Sequence, residues 1–344
     1  MSIFELVTSE AITAYWEQRP ENGMPYLGAE LFPEQQKLGL DIKWVKGAKG
    51  LPVVLKPSAY DVASKKRNRI GFEKLQAQMP FFKESMYIDE EMRQQLNMVL
   101  ETGNQAYIDS VTTQIFNDEM SLLEGAAAQR ERIRMMALTT GSVSISANGQ
   151  DYDYDYGMPL DHKKNATVSW SNPDATIIDD IRNMLDKIEQ DTGVRPTRAV
   201  ANTKVMGYLR KNKEIRQAIN GTDSTAPVSD SKIVAYLLDE LKLQFVVYSK
   251  KYIDEAGNEQ NYVDEDIFVV FPSGKLGTGW FGTTPEQSDL MTGTTANVSI
   301  TDVGVAVTTS KNVDPVNVET KVSMIYLPSF ETANQVGILD VILE

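Results

Sequence analysis

From Glu101 to Ala137 the chain carries a single helical period, and a helix of that length limits what can be folded around it. Tyr107, Val111, Ile115, Leu122 and Ala126 recur at helical spacing, and Ile108 and Phe116 widen the stripe. Acids dominate the first two-thirds (Asp109, Asp118, Glu119, Glu124), whereas Arg130, Arg132 and Arg134 gather toward the end, where cations complement the helix dipole. Gly141 supplies the stop. At about 1.5 Å per residue, roughly 35 residues make a rod of about 50 Å, long for the core of an ordinary domain. Such a rod reads as a spine on which other parts are hung. A preceding helix from Asp89 to Leu100 either runs into it or breaks near Gly103.

Charge is divided unevenly. Between Asp41 and Lys74 there are nine basic residues (Lys43, Lys46, Lys49, Lys56, Lys65, Lys66, Arg67, Arg69, Lys74) and three acids, a local charge of +6, while the remainder carries −20. A positive extension on a negative body is complementary to the surface of its own neighbours, so the charge map points to self-assembly before catalysis. Within this stretch Ile42, Trp44 and Val45, then Val53, Val54 and Leu55, are extended runs around the Gly-bearing Gly47 to Gly50, with a return limb around Arg69 to Lys74. The spacing predicts a long hairpin that needs a partner surface, because its apolar residues are too few to cover both faces.

Composition narrows the classes further. With 344 residues, 42% hydrophobic and 24% charged, the chain can bury a real core. It has no cysteine, hence no disulfide framework or thiolate metal site, and a cytosolic setting is expected. No apolar run reaches the length of a membrane span, and no secretory leader is read at the start. A net charge of −14 disfavours a sequence-reading nucleic-acid binder. The single histidine, His162, lies in the polar Pro-Leu-Asp-His-Lys-Lys-Asn stretch and is expected to be an exposed loop residue. No phosphate loop, nucleophile elbow or His-Glu-x-x-His motif occurs, and Gly274 to Gly279 reads as a turn.

The rest of the chain resolves into short elements. Ser9 to Gln18 reads as a short helix, followed by a Gly/Pro-punctuated stretch that reads as an arm draped over something else. Ser142 to Ile145 and Asp151 to Tyr156 read as strands, the second placing Tyr152, Tyr154 and Tyr156 on one face and Asp151, Asp153 and Asp155 on the other. Residues two apart on a strand are roughly 7 Å apart, too far for three carboxylates to share an ion without bending, so a solvated acidic face is expected. Asn172-Pro173 predicts a helix start, with Ile177, Ile178, Ile181, Met184, Leu185 and Ile188 as its buried stripe and Gly193 as its end. Then come a strand (Arg198 to Ala201), helices (Lys204 to Arg210, Lys213 to Asn220, Asp230 to Leu241) and a strand (Gln244 to Ser249), a compact α/β unit. Lys250 to Asp266 reads as a protruding hairpin returning on Ile267 to Phe271, and Val298 to Thr309, Val316 to Leu327 and Ile338 to Ile342 as strands.

Particular stretches carry a family resemblance: Phe81 to Asp89 leading into a helix, Arg132-Ile133-Arg134-Met135-Met136-Ala137-Leu138 closing the spine, Asp155-Tyr156-Gly157-Met158-Pro159, and Ser169-Trp170-Ser171-Asn172-Pro173. The run from Val246-Val247-Tyr248 through Tyr252, Tyr262 and Val263 to Phe268-Val269-Val270, then Lys321 to Leu327 and Val336 to Ile342, continues it. In their order these segments resemble the major capsid protein of tailed bacteriophages with the Hong Kong 97-type fold, within it the lambda-type major capsid protein E family.

The resemblance implies an α+β fold with an N-terminal arm (1–40), an extended hairpin called the E-loop (41–75), a peripheral domain with the spine helix (76–170), an axial α/β domain (171–315) and returning C-terminal strands (316–344). It implies a shell subunit without catalytic, cofactor or metal residues, forming hexamers and pentamers of an icosahedral capsid around double-stranded DNA. The nine cations of the tongue are then the assembly contact, in a shell held without covalent cross-links. Implied partners are further copies of the chain, a portal protein, scaffolding and decoration proteins, and DNA through weak non-specific contact, with no membrane; the setting is the virion, and host cytoplasm during assembly. Three alternatives stand beside it: a cellular encapsulin-like nanocompartment shell, a metal-dependent hydrolase built on Asp151, Asp153, Asp155 and His162, and a nucleic-acid-binding module using Lys65-Lys66-Arg67-Asn68-Arg69.

Overall fold

Helix α1 (Ser9–Gln18) and the single turn α2 (Leu27–Leu31) lead to β1 (Glu34–Gln36) and β2 (Asp41–Lys46); β3 (Glu73–Gln78) and β4 (Phe81–Ile88) then run into α3 (Glu90–Thr102) and the spine, α4 (Gln105–Thr140). After it come β5 (Ser142–Ala147), β6 (Gln150–Asp155), a 3-10 turn at Leu160–His162 and β7 (Lys163–Asn165). The next run is α5 (Ile177–Thr192), β8 (Arg198–Ala201), α6 (Thr203–Lys211), α7 (Lys213–Asn220), α8 (Asp230–Leu241) and β9 (Gln244–Val247). A hairpin of β10 (Lys251–Ile253) and β11 (Glu259–Asn261) precedes β12 (Ile267–Phe271), β13 (Thr278–Phe281), β14 (Asn297–Thr301), β15 (Val305–Val313), β16 (Val316–Ser329) and β17 (Gly337–Asp340). This computed structural model describes residues 7–18, 26–46, 73–88, 90–102, 104–147, 149–221, 226–291, 296–313 and 316–343.

Contacts divide the chain into two units, one of residues 1–42, 77–133 and 278–329, the other of residues 43–76, 134–277 and 330–344. The first is built on a sheet in the order β1-β13-β16-β15-β14, with β4 also paired along β16. Strand β16 is the organiser: Val316 to Ser323 pair antiparallel with β15, Val318 to Ile325 with β4, and Tyr326 to Ser329 with β13. Its Thr- and Val-rich sequence suits a long, half-polar strand. Helix α1 packs on β14 and β15, where the Ser9 hydroxyl meets Asn297 and Ser299, and Tyr15 stacks on Phe116 of α4 at 5.4 Å. The described residues of the expected arm include α1, which is seated on this unit: Ile12 is fully buried and the Ser9 hydroxyl finds its partners on β14.

The spine forms as its period predicts, beginning at Gln105 after Asn104, whose carboxamide accepts from the Ala106 N–H at 3.1 Å; Gly103, where a break was expected, lies outside the described residues. The helix outlasts the expected Ala137 by three residues, to Thr140. Gly141 then turns left-handed at φ 71° and its N–H donates to Ala137 at 3.0 Å. A side chain there would stand 3.0 Å from the Met158 Cβ, a second reason for glycine. The stripe is buried from Ile115 onward, whereas Tyr107 is exposed.

The second unit holds a mixed five-stranded sheet, β7-β17-β12-β8-β9, in which β8 runs parallel to β9 and antiparallel to β12. Helices α5 to α8 bury Ile181, Leu185, Ile188, Leu209, Ile215, Ile233 and Leu237 with Ala199, Ala201, Phe268 and Val270 of the sheet. Each such side chain contributes on the order of 1.5–3 kcal/mol by leaving water. Helix α5 begins at Ile177, five residues after the predicted Asn172 cap. Asn172 instead closes a tight turn onto the Asp174 N–H at 3.0 Å, and the carbonyls of Pro173 and Ala175 are taken by the Asn212 side chain, so the intervening residues cannot enter the helix. Its end at Gly193, φ 72°, matches expectation.

Candidate assembly surface

The cationic tongue is described at its two ends, each of which is a strand. Strands β2 and β3 pair, and at their foot the Met79 N–H donates to the Leu40 carbonyl at 2.9 Å, so the chain goes out and returns side by side. Lys43 and Lys46 lie on β2 and Lys74 on β3; Lys49, Lys56, Lys65, Lys66, Arg67 and Arg69 lie outside the described residues. Of the runs expected at Ile42 to Val45 and Val53 to Leu55 and the return limb expected at Arg69 to Lys74, the described residues hold strands at Asp41–Lys46 and Glu73–Gln78, while Val53, Val54, Leu55 and residues 69–72 lie outside them. At about 3.3 Å per residue, six residues of each limb account for a paired base of about 20 Å.

The first unit contains a charge cluster that the sequence reading placed elsewhere. Arg130 does not serve the C-terminus of α4, which ends ten residues later without a basic residue in its last turn. Its side chain is buried. Its Nη1 donates to both carboxylate oxygens of Glu34 on β1 at 3.0 and 3.2 Å, and its Nη2 to Asp302 Oδ2 in the β14–β15 turn at 2.6 Å. The guanidinium lies 5.6 Å from the Phe281 ring centroid, and the indole N–H of Trp16 on α1 donates to the other Asp302 oxygen at 3.3 Å. One arginine thus ties α1, β1, the spine and the β14–β15 turn. Beside it the buried Glu131 accepts the Gly28 N–H at 3.1 Å, anchoring α2. On the other side of the sheet Lys321 meets the buried Glu286 at 2.7 Å. Burial pushes the Glu286 carboxyl upward, but the Lys321, Ser323 and backbone contacts outweigh it, leaving the group below the usual carboxylate range. A sequence signal existed: Ile115, Glu119, Leu122, Ala126, Arg130 and Ile133 share one stripe, so two charged residues occupy core positions.

The alternative metal site does not assemble. Asp151, Asp153 and Asp155 are exposed on β6, whose neighbours Tyr152 and Tyr154 are half-buried and stacked at 6.3 Å. Burial pushes the Tyr154 hydroxyl up to about 12. Tyr156 falls just past the strand and is fully buried. The Asp155 carboxylate closes a local turn onto the Gly157 N–H at 2.7 Å. His162, expected in solvent, is fully buried: the 3-10 turn folds it against α5, where Nε2 lies 3.0 Å from Asp191 Oδ2. Asp191 in turn binds Lys187, which with His162 holds its carboxyl below the usual range. Among the described residues, no three acidic or imidazole side chains converge as a metal would require. No helix among them is long and apolar enough to cross a membrane.

A long spine helix with a sheet organised by β16, and an α/β unit whose sheet is completed by β17, form an α+β architecture of the Hong Kong 97 type. Solved structures with this fold include a prophage protein of Escherichia coli CFT073 described as a capsid protein (16% identity over 98% of this chain and 99% of that one, TM-score 0.61). A phage-related protein of Bordetella bronchiseptica RB50 matches at 12% identity over 97% of both chains, TM-score 0.56. The capsid subunit of cyanophage A-1(L) matches at 10% identity over 95% and 96%, TM-score 0.55. No curated protein sequence matches. The model of the phage major capsid protein E family matches residues 8–340, and the chain belongs to that family.

Proposed function

We propose that this subunit closes an icosahedral shell of hexamers and pentamers around double-stranded DNA, and that the cationic ribbon (41–75) is its reach to the neighbouring copy. The observation that carries the reading is the charge division: nine cations at a local +6 fall within residues 41–74, whose described ends, β2 and β3, pair with each other, against −20 elsewhere. Each contact is weak, but a closed shell repeats it on every copy, which turns modest attraction into cooperative assembly. No covalent cross-link is needed. The acidic body keeps packaged DNA from adhering to the wall, since tight phosphate contact would oppose packing and release. In this reading residues 1–40 are the arm, 76–170 the peripheral domain, 171–315 the axial domain and 316–344 the returning strands. A portal protein, with scaffolding and decoration proteins, completes the particle, which assembles in host cytoplasm and persists as the virion wall.

The test is charge reversal of Lys65, Lys66, Arg67 and Arg69 to Glu. The variant keeps its circular dichroism spectrum, but its particle yield, counted by electron microscopy and sedimentation, falls steeply. Raising salt weakens wild-type assembly in the same direction, because the contact is screened. Normal shells from the reversed variant overturn the role of the ribbon.

A further inference from the structure

The carboxylate of Glu119 is out of place by every rule of burial. It sits in the middle of the spine, 1% exposed, on the stripe that faces the first unit's sheet, and its Oε2 has no hydrogen-bond partner among the described residues. The group opposite is Thr320 of β16, fully buried, paired across the sheet with the buried Thr309. The Thr320 hydroxyl comes close enough to offset part of the burial cost without completing a well-formed hydrogen bond. Among the described residues no cation answers the carboxylate. Lys321, the next residue on β16, projects to the opposite face of the sheet and is engaged by Glu286. The charged groups on the near side are Asp118 beside it on α4, Glu84 of β4, Lys311 of β15, Glu10 and Glu17 of α1, and Arg93 of α3 with its partner Glu90; all except Arg93 are exposed.

We propose that Glu119 is a proton-operated latch: as the neutral acid it lets the spine seat on the sheet, and as the carboxylate it loosens that seat. A neutral carboxyl can lie against Thr320 at the modest cost of a buried polar group, whereas an anion without a counter-charge cannot be buried cheaply. The balance is set near neutrality. Burial, with a smaller push from Asp118, raises the carboxyl from 4.5 to about 7, against the counteracting Thr320 contact. The sign follows from linkage: because the folded value lies above the value in water, the seat is firmest below pH 4.5, weakens as pH rises and stops weakening above about 7. The device belongs to the subunit itself and does not depend on the ribbon.

Hydrogen exchange of the α4 amides of residues 112–123, measured on the full-length protein at pH 5 to 8 and corrected for the intrinsic pH dependence of exchange, reads the latch directly. Sedimentation at each pH confirms an unchanged assembly state. Wild type shows an opening equilibrium that grows about tenfold from pH 6 to pH 8, and Glu119→Gln, which cannot ionise, shows a flat one. A flat wild type, or an undiminished rise in Glu119→Gln, overturns the proposal. Should Glu119→Gln not fold, infrared difference spectra of the wild type decide: a protonated-carboxyl band persisting to near pH 7 supports the latch, and full ionisation by pH 5 overturns it.

Discussion

The two units of this subunit differ in how much buried charge accompanies their apolar packing. The second closes over an apolar core in which Trp170 and Phe245 each pack tilted against Phe268 with ring centroids 5.5 Å apart, and aliphatic residues of α5 to α8 fill the rest. The first encloses Glu119, Arg130, Glu131 and Glu286 alongside its apolar residues. Apolar packing tolerates adjustment, because it is non-directional; a buried ion pair accepts one geometry and is costly when left incomplete. The segments joined differ accordingly. Most of the second unit's core comes from a continuous run, 166–270, with its sheet completed by β17. Arg130 joins groups from residues 16, 34 and 302, brought together from distant parts of the chain. Long-range charge pairing fixes the register of such segments where hydrophobicity alone would leave alternatives open.

The largest effect is expected in the apolar unit. Trp170→Ala removes a fully buried indole and also the N–H that donates to Asp180 Oδ2 at 3.0 Å, leaving that carboxylate to the Thr167 backbone and hydroxyl. A loss of about 3–5 kcal/mol is expected in denaturant unfolding of the subunit. A smaller loss would mean that the loop between β7 and α5 collapses into the space. Next comes the charged unit. Arg130→Met leaves Glu34 and Asp302 without their cation and costs about 3 kcal/mol, less than the deepest buried pairs because both carboxylates keep some water. Adding Glu34→Gln and Asp302→Asn to Arg130→Met recovers most of that loss if the penalty is the uncompensated charge. If the triple variant stays as unstable as the single one, the guanidinium is acting through packing on Phe281 instead.

The same contrast governs what could be read in advance. In the second unit local signals agree: helix stripes, the Gly193 stop and the alternation of strands and helices match what formed to within a few residues. The misplaced start of α5 came from a contact with Asn212, 40 residues onward, which no local pattern contains. In the first unit the spine was legible from its period, but the role of Arg130 was not, since a cation late in a helix also suits the dipole. Its partners lie nearly 100 residues before it and more than 170 after. His162 misled for a related reason: polar flanks predict exposure, yet Asp191 on α5 supplies a partner that makes burial affordable. The charge of the tongue was plain from composition.

The smallest expected effect isolates burial from chemistry. Arg210 on α6 also meets both oxygens of one carboxylate, its Nε and Nη2 donating to the two oxygens of Asp230 at 2.6 and 3.1 Å, where Arg130 reaches both Glu34 oxygens through Nη1. The difference is solvent: these side chains are 43% and 52% exposed, against 7% for Arg130. Water already solvates both partners, salt screens them, and holding two long side chains in place costs entropy, so Arg210→Met should change stability by about 0.5 kcal/mol or less. Measured beside Arg130→Met in the same urea titration, the pair separates two explanations of the first unit. A large gap attributes the stabilisation to desolvation, which makes each buried charge obligatory once its partner is buried with it. Equal losses would assign it to bidentate geometry alone, and the distinction between a charge-closed and an apolar-closed unit would then fail.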